Sequence, residues 1–187
     1  MKNNIKVVST SDSDGRKQLI EKLIDIDYKC FGEIEIEDEG KAEDWEKINK
    51  FCFTSVIYNN DTPIGYIDFL SINSAGVAKL LDGKLKDGEL FNFVNKDLSS
   101  PLTLYIVAIA ILEKYRNKGL SNLLWNKSRD YFISNNHLID KVYANIWTES
   151  GWNFFKKFNM ELKKIDGAGH RIIEIPTIHN QLPISNI

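Results

Sequence analysis

The residues with the clearest chemical potential are consecutive: Lys114-Tyr115-Arg116-Asn117-Lys118-Gly119-Leu120-Ser121. Upstream, Thr103 to Leu112 carries no charge and is rich in β-branched and aliphatic residues, as a buried central strand should be. Downstream, Leu120, Leu123, Leu124, Ser128, Tyr131 and Phe132 fall on one face at helical spacing. A buried strand therefore feeds a short basic loop, and the loop opens a helix. The first amides of a helix have no intrahelical partner and stand at the positive end of its dipole. Gly119 permits close backbone approach, and Lys114, Arg116 and Lys118 add positive field. That arrangement suits a diphosphate.

Arg116-Asn117-Lys118-Gly119-Leu120-Ser121 resembles the signature of the GCN5-related N-acetyltransferases (GNAT), Arg/Gln-x-x-Gly-x-Gly/Ala. Arg116 and Gly119 match it. Ser121 stands where Gly or Ala is usual, and it keeps a small side chain and a free amide. The resemblance implies acetyl-coenzyme A as cosubstrate, its pyrophosphate wrapped by Arg116, Asn117, Lys118, Gly119, Leu120 and Ser121. It implies that backbone groups of Ile109, Ala110 and Ile111 hold the pantetheine arm and face the acetyl carbonyl. Thr148 and Phe155 complete the cofactor contacts carried over by position. The family often places a Tyr four residues before a Gly-Phe pair, where it can protonate the departing thiolate. Here Phe155 takes the Tyr position and Asn159-Met160 replaces Gly-Phe. Asn tolerates the left-handed conformation that ends such a helix, but Phe155 has no proton to give.

Amine attack on a thioester also needs a proton acceptor and an oxyanion partner. Three side chains are candidates for catalytic work: Asp68, Tyr105 and Glu149. Asp68 leads, because an acid inside so apolar a strand requires a pairing partner or a cleft. Between Gly32 and Glu46, eight acidic residues stand against one lysine, enough to attract a cationic amine or simply to form a solvated face. Trp45, Trp147 and Trp152 are candidate walls for an acceptor pocket. His137, His170 and His179 are scattered without metal-ligand spacing, so no metal is expected. Neither GxxxxGK[ST], GxGxxG nor HExxH occurs.

The chain has 187 residues, a length suited to one domain, 1–187. A net charge of −2 provides no general drive toward nucleic acid. Cys30 and Cys52 form no framework, and no apolar run reaches membrane-spanning length. The expectation is a cytoplasmic protein with no nucleic-acid or membrane partner. The pattern predicts a strand over Ile5–Ser9, a turn over Ser11–Gly15, and helices over Arg16–Phe31 and Ala42–Phe51. A hairpin follows over Cys52–Asn59 and Pro63–Ile72. After the central strand and helix come a strand over Lys141–Trp147, a helix over Ser150–Phe158, and a hairpin over Met160–Ile165 and His170–Ile175. This order matches the acyl-coenzyme A N-acyltransferase fold of the resembled family. Its class is α/β (α+β), with a central mixed, mostly antiparallel sheet flanked by helices. An insert at 74–101 is expected as either a lid over the acceptor site or a packed excursion, and 177–187 as a loose tail. The implied activity is acetyl transfer to a primary amine of a small molecule or peptide, with a homodimer left open. Two other readings remain: an idle acyl-coenzyme A sensing module, and a partner-binding domain that docks through its insert.

Overall fold

The computed structural model describes residues 5–10, 13–32, 48–85, 87–99 and 101–176. The acidic run, Trp45, most of the second predicted helix, His179 and the 177–187 tail lie outside the described residues. Seven strands form one sheet: β1 (Ile5–Thr10), β2 (Cys52–Asn59), β3 (Thr62–Ser71), β4 (Leu102–Ile111), β5 (Ile139–Ile146), β6 (Glu161–Ile165) and β7 (Arg171–Ile175). Their order is β1-β2-β3-β4-β5-β7-β6, and every pairing is antiparallel except β4 with β5. Among the described residues the main helices are α1 (Ser13–Phe31), α2 (Ser74–Leu81), α3 (Leu120–Ser134) and α4 (Glu149–Phe155). α1 begins at Ser13, so the predicted Ser11–Gly15 turn is corrected: Gly15 is helical despite its low propensity.

The sheet is covered on both faces. On one, Leu23 and Ile26 of α1 pack against Val56, Tyr66 and Ala110. Beside them Leu80, Leu90 and Val94 of the insert cover Cys52, Leu70, Tyr105 and Tyr143. The insert is thus packed onto the sheet, and its ends are fixed by the amides of Asn73 and Asn95, which donate to Phe93 and Ser71. On the other face, Leu120, Leu124, Trp125 and Phe132 of α3 meet Phe53, Ile67, Phe69 and Leu104. Ser128 interrupts that apolar stripe for a reason: its hydroxyl donates to Ser55 Oγ at 2.7 Å, and Ser55 is bonded to Ser9 at 2.6 Å. Three elements share this buried hydroxyl chain.

The sheet comes apart in the middle. β4 and β5 are paired from Leu102/Ile139 to Ile106/Ala144 and no further. Beyond that, β4 continues to Ile111 bonded only to β3, and β5 continues to Ile146 bonded only to β7. Val107 is the extra residue of a bulge, since Asp68 faces Ala108 while Phe69 faces Ile106. A bulge bends its strand and sharpens the twist, which turns the end of β4 away from β5.

Gly65 keeps that displaced end in place. It lies opposite Ile111, and a Cβ there would sit 2.7 Å from the Ala110 carbonyl oxygen and 3.1 Å from Ile111 Cα. Gly65→Ala should therefore shift the outer part of β4 and cost about 1–3 kcal/mol, an overpacking penalty. Calorimetry checks this, and an unchanged melting temperature would contradict it.

Candidate active site

The basic loop is built as a cradle. A single 3-10 turn, Glu113–Tyr115, leaves β4, and two residues then take left-handed conformations, Asn117 at φ 60° and Gly119 at φ 72°. Gly119 caps α3 without a side chain, and the first intrahelical bond runs from the Leu123 amide to its carbonyl. The amides of Leu120, Ser121 and Asn122 are therefore free of helical partners. A Cβ on Gly119 would meet nothing within 4 Å, so the cradle is open above it. Lys118 donates to the Lys114 carbonyl at 3.2 Å, and both ammoniums lie over the Tyr115 ring, at 5.5 and 5.0 Å. The Tyr115 phenol accepts from Asn59 at 3.2 Å; this bond, with both lysines, lowers its pKa against the effect of desolvation.

Arg116 is turned back onto the strand, its Nε donating to the Ile111 carbonyl at 2.8 Å. It buttresses the loop and brings its charge beside Cys30. Burial pushes the Cys30 thiol up, against the pull of this guanidinium. A further cation that sequence reasoning missed, Lys157, bonds to Asn122 on the first turn of α3, and burial lowers its pKa. No pattern signals it, because 35 residues separate the pair.

Ile109, Ala110 and Ile111 lie on the part of β4 that has lost β5, opposite Ile67, Tyr66 and Gly65. Alternate residues there turn backbone groups toward the gap. Thr148 caps α4, accepting from the Gly151 amide at 3.1 Å. Phe155 is 4% exposed, and its ring centroid is 6.1 Å from that of Trp125. It is a core residue tying α4 to α3. Asn159 does adopt the left-handed conformation, at φ 51°.

The three candidate catalytic side chains are dispersed. Asp68 is buried on the α1 face beside the bulge, accepting from Thr54 Oγ1 at 2.6 Å. Tyr105 shares that face but is buried among insert residues. Glu149 is exposed at the start of α4 and paired with Arg171 at 2.5 Å. Trp152 lies next to Arg171, whose guanidinium carbon is 4.8 Å from its ring centroid.

On the β5 arm the structure assembles a polar group that the sequence did not suggest. Trp147 is 46% exposed and stacks on His170, with centroids 5.0 Å apart and an interplanar angle of 16°. His170 Nδ1 lies 3.2 Å from Asp166 Oδ2. Asp166 Oδ1 accepts from the amides of Ala168 and His170, both at 2.9 Å. Burial pushes the Asp166 carboxyl up, but these amides, the imidazole and Asn145 outweigh it and hold it below the usual range. The available signal was the Asp-Gly-Ala-Gly-His turn, which returns position i+4 to position i.

A split sheet whose broken strand runs through a glycine-bearing basic loop into a helix defines an acyl-coenzyme A N-acyltransferase fold. The sequence agrees. Residues 20–160 match the acetyltransferase (GNAT) family, and the chain belongs to that family. No curated protein matches it. Among solved structures, it is similar to the loading GNATL domain of CurA from Lyngbya majuscula. That match has 15% identity and a TM-score of 0.67, covering 96% of this chain and 100% of the other. Arabidopsis thaliana Naa50, in complex with the bisubstrate analogue CoA-Ac-MVNAL, is 18% identical with a TM-score of 0.56, covering 91% and 97%. A conserved protein from Enterococcus faecalis, a probable N-acyltransferase, is 10% identical with a TM-score of 0.55. There 85% of this chain spans only 33% of the other. Among the described residues no group of three His, Cys, Asp or Glu side chains could hold a metal, and no helix is long and apolar enough to cross a membrane.

Proposed function

We propose that this protein transfers the acetyl group of acetyl-coenzyme A to a primary amine of a small molecule or peptide by direct attack. One observation carries the reading: the gap between β4 and β5 runs alongside the cradle of left-handed residues that opens α3. The residues fit an acylated coenzyme. The unpartnered amides of Leu120, Ser121 and Asn122, with Lys114, Arg116, Lys118 and Lys157 around them, suit its diphosphate. The free edge of β4 at Ile109 to Ile111 offers backbone partners to its amide-bearing arm, and one N–H there can polarise the thioester carbonyl. The thioester itself supplies the activated acetyl group.

Phe155 gives the departing thiolate no proton, and with a thiol pKa of about 8.5 the thiolate can leave unassisted. Asp68 stands beside the bulge on the face proposed for the acceptor. The transfer is proposed without a role for Tyr105 or Glu149. The insert, which packs along the same face, borders the acceptor side. Phe155 also favours a second reading, an acyl-coenzyme A sensing module without turnover. A cytoplasmic location completes the proposal, with the oligomeric state left open.

The decisive measurement is the melting temperature with acetyl-coenzyme A, coenzyme A or ATP. Coenzyme A species at about 100 times Kd should add roughly 2.7 kcal/mol, and ATP should add nothing comparable. Thiol release with primary amines then separates transferase from sensor. No shift with either coenzyme overturns both readings.

A further inference from the structure

The hairpin joining β6 to β7 contains a device that the cofactor site leaves unused. Asp166 holds one edge of the His170 ring in place: its Oδ2 meets Nδ1 at 3.2 Å, and its Oδ1 is fixed by two turn amides. Trp147 stacks flat on the imidazole and fixes its plane. Asn145 Nδ2, 3.5 Å from Asp166 Oδ2, ties the pair to β5. Asn145 is the first β5 residue beyond the last β4 pair, so this group stands at the mouth of the gap. The register places Asn145 on the same face as Tyr143, the face that carries Asp68, α1 and the insert.

A carboxylate at Nδ1 selects the tautomer with the proton on Nδ1 and the lone pair on Nε2. Among the described residues, Nε2 makes no hydrogen bond, and the His170 side chain is 30% exposed. We infer that His170 is the general base for the acceptor amine, and that Asp166 is its positioning residue. This rests on the acetyl-transfer reading above. Nε2 takes a proton from the acceptor ammonium, and the freed nitrogen lone pair attacks the thioester carbonyl carbon. As the C–N bond forms and the C–S bond breaks, the second amine proton goes to the coenzyme thiolate. The imidazolium then returns its proton to water. The products are an amide, free thiol and one proton.

The charged groups around the hairpin are of both signs. Arg171 and Glu149 pair at the start of α4, and Lys164 of β6 reaches Asp82 in the turn after α2, with Lys84 on the same carboxylate. That turn packs against the hairpin, since a Cβ on Gly83 would lie 3.5 Å from Asp166 Cβ.

Two experiments test the inference. Imidazole 15N spectra of the full chain, with His170 assigned by its loss in H170Q, should show the Nδ1–H tautomer in wild type and a shift toward Nε2–H in D166N. Finding Nε2–H in wild type would overturn the inference, whether or not an acceptor is known. With acetyl-coenzyme A and spermidine, kanamycin or a short peptide as acceptor, H170Q should keep the cofactor-induced melting shift. It should lose kcat roughly 10²- to 10⁴-fold at neutral pH, with KM little changed, and recover as rising pH deprotonates the amine unaided. A rate within about twofold of wild type and an unchanged pH profile would sink this assignment alone. Absence of the cofactor shift in wild type would instead sink the parent reading.

Discussion

Gly119→Glu should abolish the stabilisation that acetyl-coenzyme A is proposed to confer, while the free protein still folds. The substituted Cβ enters open space, so no packing is lost. The cost in the free protein is the left-handed conformation at φ 72°, about 1–2 kcal/mol for a residue other than glycine. The carboxylate then extends over the unpartnered amides of α3, in the field of Lys114 and Lys118. It competes for the donors that a diphosphate needs and repels the diphosphate itself. The roughly 2.7 kcal/mol expected from a saturating cofactor should disappear from the melting curve. Gly119→Ala provides the control, since it carries the same strain without the charge and should retain part of the shift. If the glutamate variant binds as tightly as wild type, the diphosphate lies elsewhere.

Trp125→Ala should be the most destabilising single change on α3. The indole is 1% exposed and surrounded by Phe158, Phe155, Phe154 and Phe69, with centroids at 4.6, 6.1, 6.3 and 6.3 Å. These neighbours come from β3, α4 and the turn after α4, so truncation leaves a cavity that no single element can fill. The loss should be about 3–5 kcal/mol, or roughly 6–20 °C in melting temperature for a chain of this size. Cofactor affinity should fall as well, because α3 carries the cradle amides and its packing sets their direction. Scanning calorimetry decides it: a drop of only a degree or two would mean that the aromatic cluster is not the support described.

The parts of this architecture that could be read in the sequence are those written locally. An uncharged ten-residue strand, a basic loop with one glycine and a helix with a clear apolar face identify β4, the cradle and α3 from their own residues. Asn159 was legible for the same reason, since few residues other than glycine end a helix in a left-handed conformation. The gap between β4 and β5 was not, because it depends on where two distant strands stop pairing. The bulge at Val107 sits in Ile-Val-Ala-Ile, which has no turn residue to mark it. Ser128 reads as a flaw in an apolar stripe until Ser55, 73 residues away, is placed beneath it. Trp147 and Trp152 read from the sequence as pocket walls, yet Trp125 is the buried indole. Periodicity includes Trp125 only at the margin of its helix face. His170 has no metal-ligand spacing to mark it, and its partner is a carboxylate four residues back, across a glycine-rich turn.

The five register pairs between β4 and β5 have a mechanical consequence. Among the described residues they are the only ladder joining a four-strand half, β1 to β4, to a three-strand half, β5 to β7. Ahead of that seam the two halves diverge like the jaws of a clamp hinged at Ile106 and Ala144. A molecule gripped between them extends the seam, so its binding energy is felt as resistance of the C-terminal half to peeling away from the rest. Release of product must then work against the same hinge. On the proposed reading, the grip that secures the donor is also what turnover has to loosen.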